Sequence, residues 1–591
     1  METDNKSTSG AQLKDEENLE GEPFNYDDIL KHLGQLGKFQ LRAFLWLCLP
    51  AIFPGLITMS LTFTGGVPDY RCFVDGCDEV ESQGQGDFSH PWLNNTIPGW
   101  EDDASSSDNR IKKQCYVYNH TWNNVEECLA GSDVNIDQEI QCSEWVYDDS
   151  IFGSTIVTEF ELTCDDEHKQ PIASTVYMAG NIFGPLIFGL IADKFGRKAA
   201  YTWGILFMGC VVTGSALSKN LITFCVLRFF SGLANLGLFE IYIVWGIESV
   251  GTKYRTICGF VYQLCFTVGS ALMGCIAFFV RDWQIIQIII GAPIFLLLAL
   301  HWLVPESIRW LVATKRYESA RKLILKAAKV NKKSVPDHLL VIPNGQSVVK
   351  DAEISSTALN ENTKNSFVKR EGLIDVLRSP VLLKRLVIMI AAWFGGVMGY
   401  YGITFSSNNL SDNFFVNYEL SMLVEIPAYL CGIYVTDKVG RRPTLCAGMI
   451  ISGFACLITG LVPEDPAFIR VTFSLIGKFF ISTVMAVLYS FTAELFPTET
   501  RGVTVGISST LGHFGGVVAP ILADAGRKID PAFPYIIFAI VNVCVGILGL
   551  LLPETNHLPL PTTIQEAVDM EKYTFSLHRC CHRKKEEENC D

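Results

Sequence analysis

Apolar runs dominate this chain. Twelve stretches of roughly 18–25 mostly apolar residues recur along it, and about 20 such residues cross a bilayer as one helix. The pattern predicts helices near 41–63, 171–192, 199–217, 221–245, 256–280, 285–304, 383–405, 414–436, 444–462, 467–492, 502–523 and 533–553. An even number of spans puts both termini on the same side. The first 40 residues are polar and acidic and lack the apolar core of a signal peptide. A short amphipathic stretch from Tyr26 to Leu36 leads into the first span.

Composition agrees. Of 591 residues, 49% are hydrophobic and 18% charged, with mean hydropathy +0.26. Soluble domains carry about 25% charged residues. A disordered chain, a collagen and a small disulfide-knit domain are excluded, and the expected class is an all-α polytopic membrane protein. Its first partner is the lipid bilayer.

Charge adds topology. The net charge is −15, but it is unevenly spread. Residues 64–170 hold 23 acidic and 5 basic residues, net −18, and residues 306–380 hold 14 basic against 8 acidic, net +6. The acidic balance is therefore local, and nothing in it points to nucleic acid. Lys194, Arg197 and Lys198 follow span 2, Lys253 and Arg255 span 4, Lys438, Arg441 and Arg442 span 8, and Arg501 span 10. By the positive-inside rule these loops and both termini are cytoplasmic, and the 64–170 insert is extracellular.

That insert contains Cys72, Cys77, Cys115, Cys128, Cys142 and Cys164. Six cysteines in an oxidising compartment predict three disulfides, with 15 pairings open. Asn94 and Asn119 head glycosylation sequons there. Asn409 also fits the pattern but lies close to the membrane, and Asn5 is on the cytoplasmic side. For the remaining 13 cysteines, packing is the expected role.

The chain repeats itself. Asp193-Lys-Phe-Gly-Arg-Lys returns as Asp437-Lys-Val-Gly-Arg-Arg. Glu248 with Arg255 returns as Glu494 with Arg501, and Pro305-Glu306-Ser as Pro553-Glu554-Thr. The offsets are nearly equal, and each anchor follows the same span of its half. The expected organisation is a 1–40 cytoplasmic segment, a six-helix half over 41–304, a 305–382 cytoplasmic linker, a second half over 383–553 and a 554–591 tail. Such halves bind solute between them and rock. Asp193, Arg197, Glu248, Arg255, Glu306, Arg309, Asp437, Arg441, Glu494, Arg501 and Glu554 are expected to form a cytoplasmic gate in which acidic and basic residues from both halves pair when it is closed and part when it opens. Loop charges fixed only by topology are the plainer alternative.

These motifs resemble the major facilitator superfamily, whose loop signature matches Gly189-x-x-x-Asp193-Lys-Phe-Gly196-Arg197-Lys198. The second copy is looser, with Gly432 one place further from Asp437. Over residues 25–565 the chain resembles solute carrier family 22. The Cys-rich first loop carries that likeness, with Ser154-Thr-Ile-Val-Thr-Glu-Phe, Pro305-Glu-Ser-Ile-Arg-Trp-Leu and Tyr489-Ser-Phe-Thr-Ala-Glu-Leu-Phe-Pro-Thr. Gly399-Tyr-Tyr-Gly through Val424-Glu-Ile-Pro-Ala-Tyr resembles the carnitine and organic-cation branch. The resemblance implies a twelve-helix carrier fold and transport of organic solutes.

Ionisable residues inside spans carry most of the remaining information, because they are costly in a bilayer and face a cavity or a partner. Arg228 resembles the superfamily's structural arginine, with solute contact as the alternative. Glu240 suits a cation in a wet cavity or a bond to a neighbouring helix. Glu425 and Lys478 are plausible mutual partners, and solute competes for either. At His513 the family's cation carriers have Asp and its anion and carnitine carriers Arg, so a histidine is a departure. It is either a satisfied interior group or a pH-sensitive selectivity residue. Leu236 stands where cation carriers often have a lysine, and losing that charge favours cations. The resemblance also places Phe239, Tyr262, Gln263, Phe266, Trp393, Tyr400 and Tyr401 along the cavity, where aromatic faces attract ammonium groups.

The expected function is plasma-membrane transport of small organic cations or zwitterions, quaternary ammonium or carnitine-like, by alternating access. Sodium or a proton is a candidate coupling ion. Organic-anion transport or exchange is the alternative, and a non-transporting receptor on a carrier fold a third reading. An enzyme is not expected. The sequence has no Gly-x-x-x-x-Gly-Lys-Ser/Thr, His-Glu-x-x-His or Gly-x-Ser-x-Gly motif, and it calls for no cofactor or metal. In the tail, Arg579-Cys-Cys-His-Arg-Lys-Lys reads as solvated chain, with a palmitoylated basic patch as the alternative.

Overall fold

A computed structural model describes residues 26–570, apart from 79–87, 99–113, 132–137, 252–253, 341–371, 408–409, 411–412, 464–465, 498–499, 557, 559 and 562. Asn5, Lys253, Asn409 and the Arg579 segment lie outside the described residues.

A helix covers each predicted span. They are α1 (Lys38–Thr64), α2 (Gln170–Phe195), α3 (Arg197–Ser215), α4 (Leu221–Ser249), α5 (Arg255–Phe279), α6 (Trp283–Leu303), α7 (Pro380–Ser407), α8 (Phe414–Lys438), α9 (Arg441–Leu461), α10 (Ala467–Leu495), α11 (Arg501–Lys528) and α12 (Ala532–Gly549). Eleven are long and apolar enough to cross a membrane. The twelfth, α3, is a 19-residue helix that begins on Arg197 and Lys198 and packs against α4 and α6. In lipid every backbone polar group needs an internal partner, which favours helices throughout the spans.

Local chemistry fixes several helix ends. The Asn220 side chain accepts from Thr223 N (2.8 Å) at the start of α4. Asp282 accepts from Gln284 N and Ile285 N (2.9 and 3.0 Å) at the start of α6. Such caps satisfy backbone donors that the first turn leaves open. Small residues set close crossings. A Cβ added at Gly180 or Gly184 of α2 would strike the α4 backbone at Phe229 or Leu233, so these helices meet backbone to backbone.

The insert after α1 folds as two antiparallel pairs. β1 (Tyr70–Cys72) lies against β4 (Trp145–Tyr147), and β2 (Tyr116–Tyr118) against β3 (Glu139–Gln141). Of the 15 pairings, the fold contains Cys72–Cys142, Cys77–Cys128 and Cys115–Cys164. Arg71 is fully buried, makes a two-pronged bond to Asp78 (2.9 and 2.8 Å) and lies over the Trp92 ring.

At the other end of the bundle, the helices Tyr26–Leu33, Ile308–Ala313 and Tyr317–Asn331 share a small apolar core of Ile29, Leu30, Trp310 and Ile324. Asn331 ties it to α1. Its amide donates to Leu33 O (3.0 Å) and Gln40 Oε1 (2.8 Å), and its oxygen accepts from Phe39 N (2.8 Å).

Candidate functional site

Two cavities lie between the halves. A vestibule of about 560 Å³ sits beneath the insert, lined by Leu61, Gln170, Phe405, Phe414, Asp524 and Arg527 among others. One to two turns further from the insert, on α1, α2, α7 and α11, is a second cavity of about 50 Å³. Room for a few waters is too little for an organic solute, so the halves surround this site closely.

The inner cavity draws on both halves. Pro54, Thr58, Asn181, Asn235, Leu236, Phe239, Gln263 and Phe266 come from α1, α2, α4 and α5. Tyr400, Tyr401, Tyr429, Met485, Tyr489 and His513 come from α7, α8, α10 and α11. Phe239, Gln263, Phe266, Tyr400, Tyr401 and His513 are thus brought together. His513 Nδ1 lies 2.7 Å from Ser509 O, which only accepts. Nδ1 therefore carries a proton and donates it there.

Other candidates stand behind this lining. Lys478 and Glu425 are fully buried and paired at 2.8 Å. Thr267 donates to Glu425 (2.6 Å), while Lys478 donates to Thr404 Oγ1 (2.7 Å) and lies 3.4 Å from the Tyr400 ring centroid. Trp393 is buried, donates to Thr492 (3.1 Å) and meets Tyr489 edge-on. Glu240 is half-buried beside Phe239, within electrostatic range of Tyr489, and has no hydrogen-bond or ion-pair partner among the described residues. Tyr262 is placed elsewhere. Gln263 and Phe266 share a face of α5, whereas Tyr262 is turned about 100° from Gln263. It packs on Phe44 and against Gly246.

Arg228 is fully buried. It donates to Ile57 O (3.3 Å) and Ser60 Oγ (3.2 Å) and lies over the Tyr177 ring, tying α4 to α1 and α2. Sequence reasoning did not single out Thr58, Tyr177, Asn181 or Asn235. As uncharged polar residues in apolar helices they give little signal before the helices converge.

The repeated charges form two similar clusters at the end away from the insert. Arg197 bonds Glu248 (3.2 and 3.0 Å) and Asp193 (2.9 Å), and the Arg197 and Lys198 amides donate to Glu306 (3.1 and 3.2 Å). Arg441 pairs with Glu494 (3.2 Å) and Asp437 (3.7 Å), and the Arg441 and Arg442 amides donate to Glu554 (3.0 and 3.1 Å). Gly196 (φ 105°) and Gly440 (φ 114°) make the turns, and a Cβ on either would strike the carboxylate of Glu306 or Glu554. Burial pushes the Glu306 carboxyl above the usual carboxylate range, against the pull of amides at Ser307, Lys198 and Arg197 and of the Arg197 charge. Each cluster joins helices of one half, so these pairs do not link the halves to each other as the sequence suggests, because each arginine is held by the carboxylates of its own repeat. Arg309 lies over the Tyr26 ring, while Arg255 and Arg501 open α5 and α11.

The family model of the sugar (and other) transporter matches residues 112–566. An organic cation transporter protein of Drosophila melanogaster is 32% identical over 93% of this chain and 95% of its own length. Solute carrier family 22 member 2 of Rattus norvegicus is 32% identical over 92% of this chain and 96% of its own. A carcinine transporter of Drosophila melanogaster is 29% identical over 95% of this chain and 81% of its own. Among solved structures, the xylose transporter XylE from E. coli, partially occluded and inward open, aligns with a TM-score of 0.56 at 14% identity. The alignment spans 88% of this chain and 98% of that one. At that identity the likeness concerns the fold alone.

Proposed function

The chain belongs to the major facilitator superfamily and, within it, to solute carrier family 22, and on that premise we propose that it carries small organic cations or zwitterions across the plasma membrane by alternating access. It is a membrane transporter of organic solutes and not an enzyme. The choice of charge rests on one observation. The inner cavity is lined by aromatic rings and neutral polar groups, with no Lys or Arg among its lining residues. Lys478 and Arg228, the nearby cations, are occupied by Glu425, Thr404, Ile57, Ser60 and an aromatic ring each. Desolvated aromatic faces attract ammonium groups by up to about 2 kcal/mol, and Glu240, next to the lining residue Phe239, adds a carboxyl group with no hydrogen-bond or ion-pair partner among the described residues. Quaternary ammonium and carnitine-like solutes fall within this class.

The rest of the mechanism follows from symmetry and charge. The halves enclose the cavity, and the clusters around Arg197 and Arg441 act as the cytoplasmic gate elements, Arg255, Arg309 and Arg501 beside them. Positive loops put both termini in the cytoplasm and the insert outside. A membrane potential negative inside then favours cation entry by about 2.3 kcal/mol per charge per 100 mV. Sodium and the proton are the coupling ions to test.

A second reading, organic anions, draws on Arg470 and Arg527 along the vestibule. Uptake by expressing cells decides between them. The solutes are tetraethylammonium, carnitine and a small aromatic carboxylate, with and without sodium, at about pH 6 and about pH 7.5. Uptake of either ammonium compound, reduced by Glu240→Gln, is the expected result. Uptake of the carboxylate alone would overturn the cation reading.

A further inference from the structure

Two residues that line the inner cavity have side-chain carbonyl oxygens with no hydrogen-bond partner among the described residues. Asn181 on α2 and Asn235 on α4 both line it, and both are 2% exposed. The donors of Asn235 are committed. Its Nδ2 gives hydrogen bonds to Tyr177 OH (2.8 Å) and Thr58 Oγ1 (3.0 Å), and it faces Pro54 O at 3.4 Å. A carbonyl only accepts, so Pro54 fixes which end of the amide is nitrogen. Oδ1 then points elsewhere and, like Asn181 Oδ1, has no partner among the described residues. Asn181 Nδ2 lies 3.5 Å from the Met178 sulfur and near the Tyr177 hydroxyl. The two asparagines therefore bring two neutral acceptors that lack a donor. Across from the two asparagines stand the rings of Tyr400, Tyr401, Tyr429 and Tyr489.

We propose that Asn181 and Asn235 are specificity-determining residues that accept N–H bonds from the solute, so that the carrier prefers protonated primary and secondary amines to quaternary ammonium ions. A buried acceptor left unpaired is penalised, and a solute that supplies its donor removes the penalty. An R–NH3+ group carries charge and donors together. It can meet both amide oxygens from the N-terminal half while its charge lies against tyrosine faces from the C-terminal half. A quaternary ammonium satisfies the rings but has no N–H, and its methyl groups hold the nitrogen away from both oxygens. Sites built to hydrogen-bond an N–H discriminate strongly against analogues that lack it. The inference rests on the cation reading above and narrows it.

The test compares tyramine with its N,N,N-trimethyl derivative, two solutes of equal charge and the same ring. Uptake is measured in cells expressing the full chain, with surface protein quantified and the aromatic carboxylate run in parallel. The wild type is expected to favour tyramine in kcat/KM by at least about tenfold. Asn181→Leu, which leaves the Asn235–Tyr177–Thr58 bonds in place, is expected to lower kcat/KM for tyramine about tenfold with little change for the trimethyl derivative. If Asn181→Leu does not reach the surface, the wild-type ratio decides alone. Equal handling of both amines by the wild type overturns the inference and leaves the cation reading intact. An equal loss for both amines in Asn181→Leu also overturns it, because a merely structural role predicts that result. Uptake of the carboxylate with neither amine removes the cation reading, and this inference with it.

Discussion

Arg527 near the end of α11 donates to the side-chain oxygen of Gln170 at the start of α2, 3.1 Å away, and so joins the two halves at the wall of the vestibule. Both partners are braced. Gln170 also donates to Gly65 O at the end of α1 (2.6 Å), and Arg527 is held by Asp524 (2.6 Å). A carrier that opens toward the insert must break this contact. Arg527→Ala is expected to remove about 1 kcal/mol from the closed form, a factor of about five in its population. A cysteine introduced by Ser406→Cys, on the vestibule wall, reports that change through its rate of labelling by an impermeant maleimide. Labelling at the same rate with and without Arg527 would exclude a gating role.

The Lys478–Glu425 pair makes a different kind of prediction, because both members are wholly buried. Removing one leaves an uncompensated charge, which costs about 3–5 kcal/mol. Lys478→Met and Glu425→Gln alone are therefore expected to reduce folded, surface-expressed protein sharply. The double variant is expected to recover much of it, since neutralising both removes the penalty. Melting temperatures in detergent check this. A double variant no more stable than either single one would mean that the contacts to Thr267 and Thr404 matter more than the pair.

Glu306 receives the Arg197 and Lys198 amides, yet burial raises its carboxyl above the usual range. Its folded pKa thus exceeds its unfolded one. The folded state binds the proton more tightly, and the ionised group costs stability at neutral pH. That cost fades as pH falls through the folded pKa. Glu306→Gln fixes the neutral form, so it is expected to hold or raise the melting temperature while lowering maximal uptake, with KM nearly unchanged this far from the cavity. A fall in melting temperature would show that the charge stabilises the turn.

Hydropathy marks the helices, eleven of them long and apolar enough to cross a membrane, because a bilayer leaves few other ways to satisfy the backbone. Charge within the helices is nearly as legible. Asp193 and Arg197, or Asp437 and Arg441, stand four residues apart and meet across the turn that Gly196 or Gly440 makes between two helices. What contacts Glu306 and Glu554 is less legible, since each reaches across more than a hundred residues to a turn made by Gly196 or Gly440. In the inner cavity, Gln263 and Phe266 share a helix face, but the neighbouring Tyr262 is turned onto Phe44. Asn181 and Asn235 gave no signal for a simpler reason. Amides are common in membrane helices, and only the convergence of α1, α2 and α4 shows that Asn235 uses its donors on Thr58 and Tyr177 and leaves its oxygen unpaired.

Asn94 and Asn119 are both exposed on the insert, as acceptors of a bulky glycan must be. Enzymatic deglycosylation is expected to increase gel mobility. Asn94→Gln and Asn119→Gln should each remove part of that change, and the double variant should remove all of it. A double variant that still shifts would point to a glycan elsewhere in the chain.

The three disulfides close segments of 70, 51 and 49 residues. Loops of that length are stabilised by about 4 kcal/mol each when the unfolded chain is constrained. Cys77–Cys128 ties the first turn of the insert to the helix Val125–Ala130, in the small core with Trp92 and Trp122. Cys77→Ser alone should lower surface expression more than Cys77→Ser with Cys128→Ser, because the single variant leaves Cys128 free to exchange with the other two bridges. Peptide mapping without reduction should recover the three pairs and no others from the wild type, and a mixture from Cys77→Ser. Recovery of a Cys72–Cys77 peptide from the wild type would refute the pairing, since β1 directs Cys72 toward Cys142 and not along its own strand.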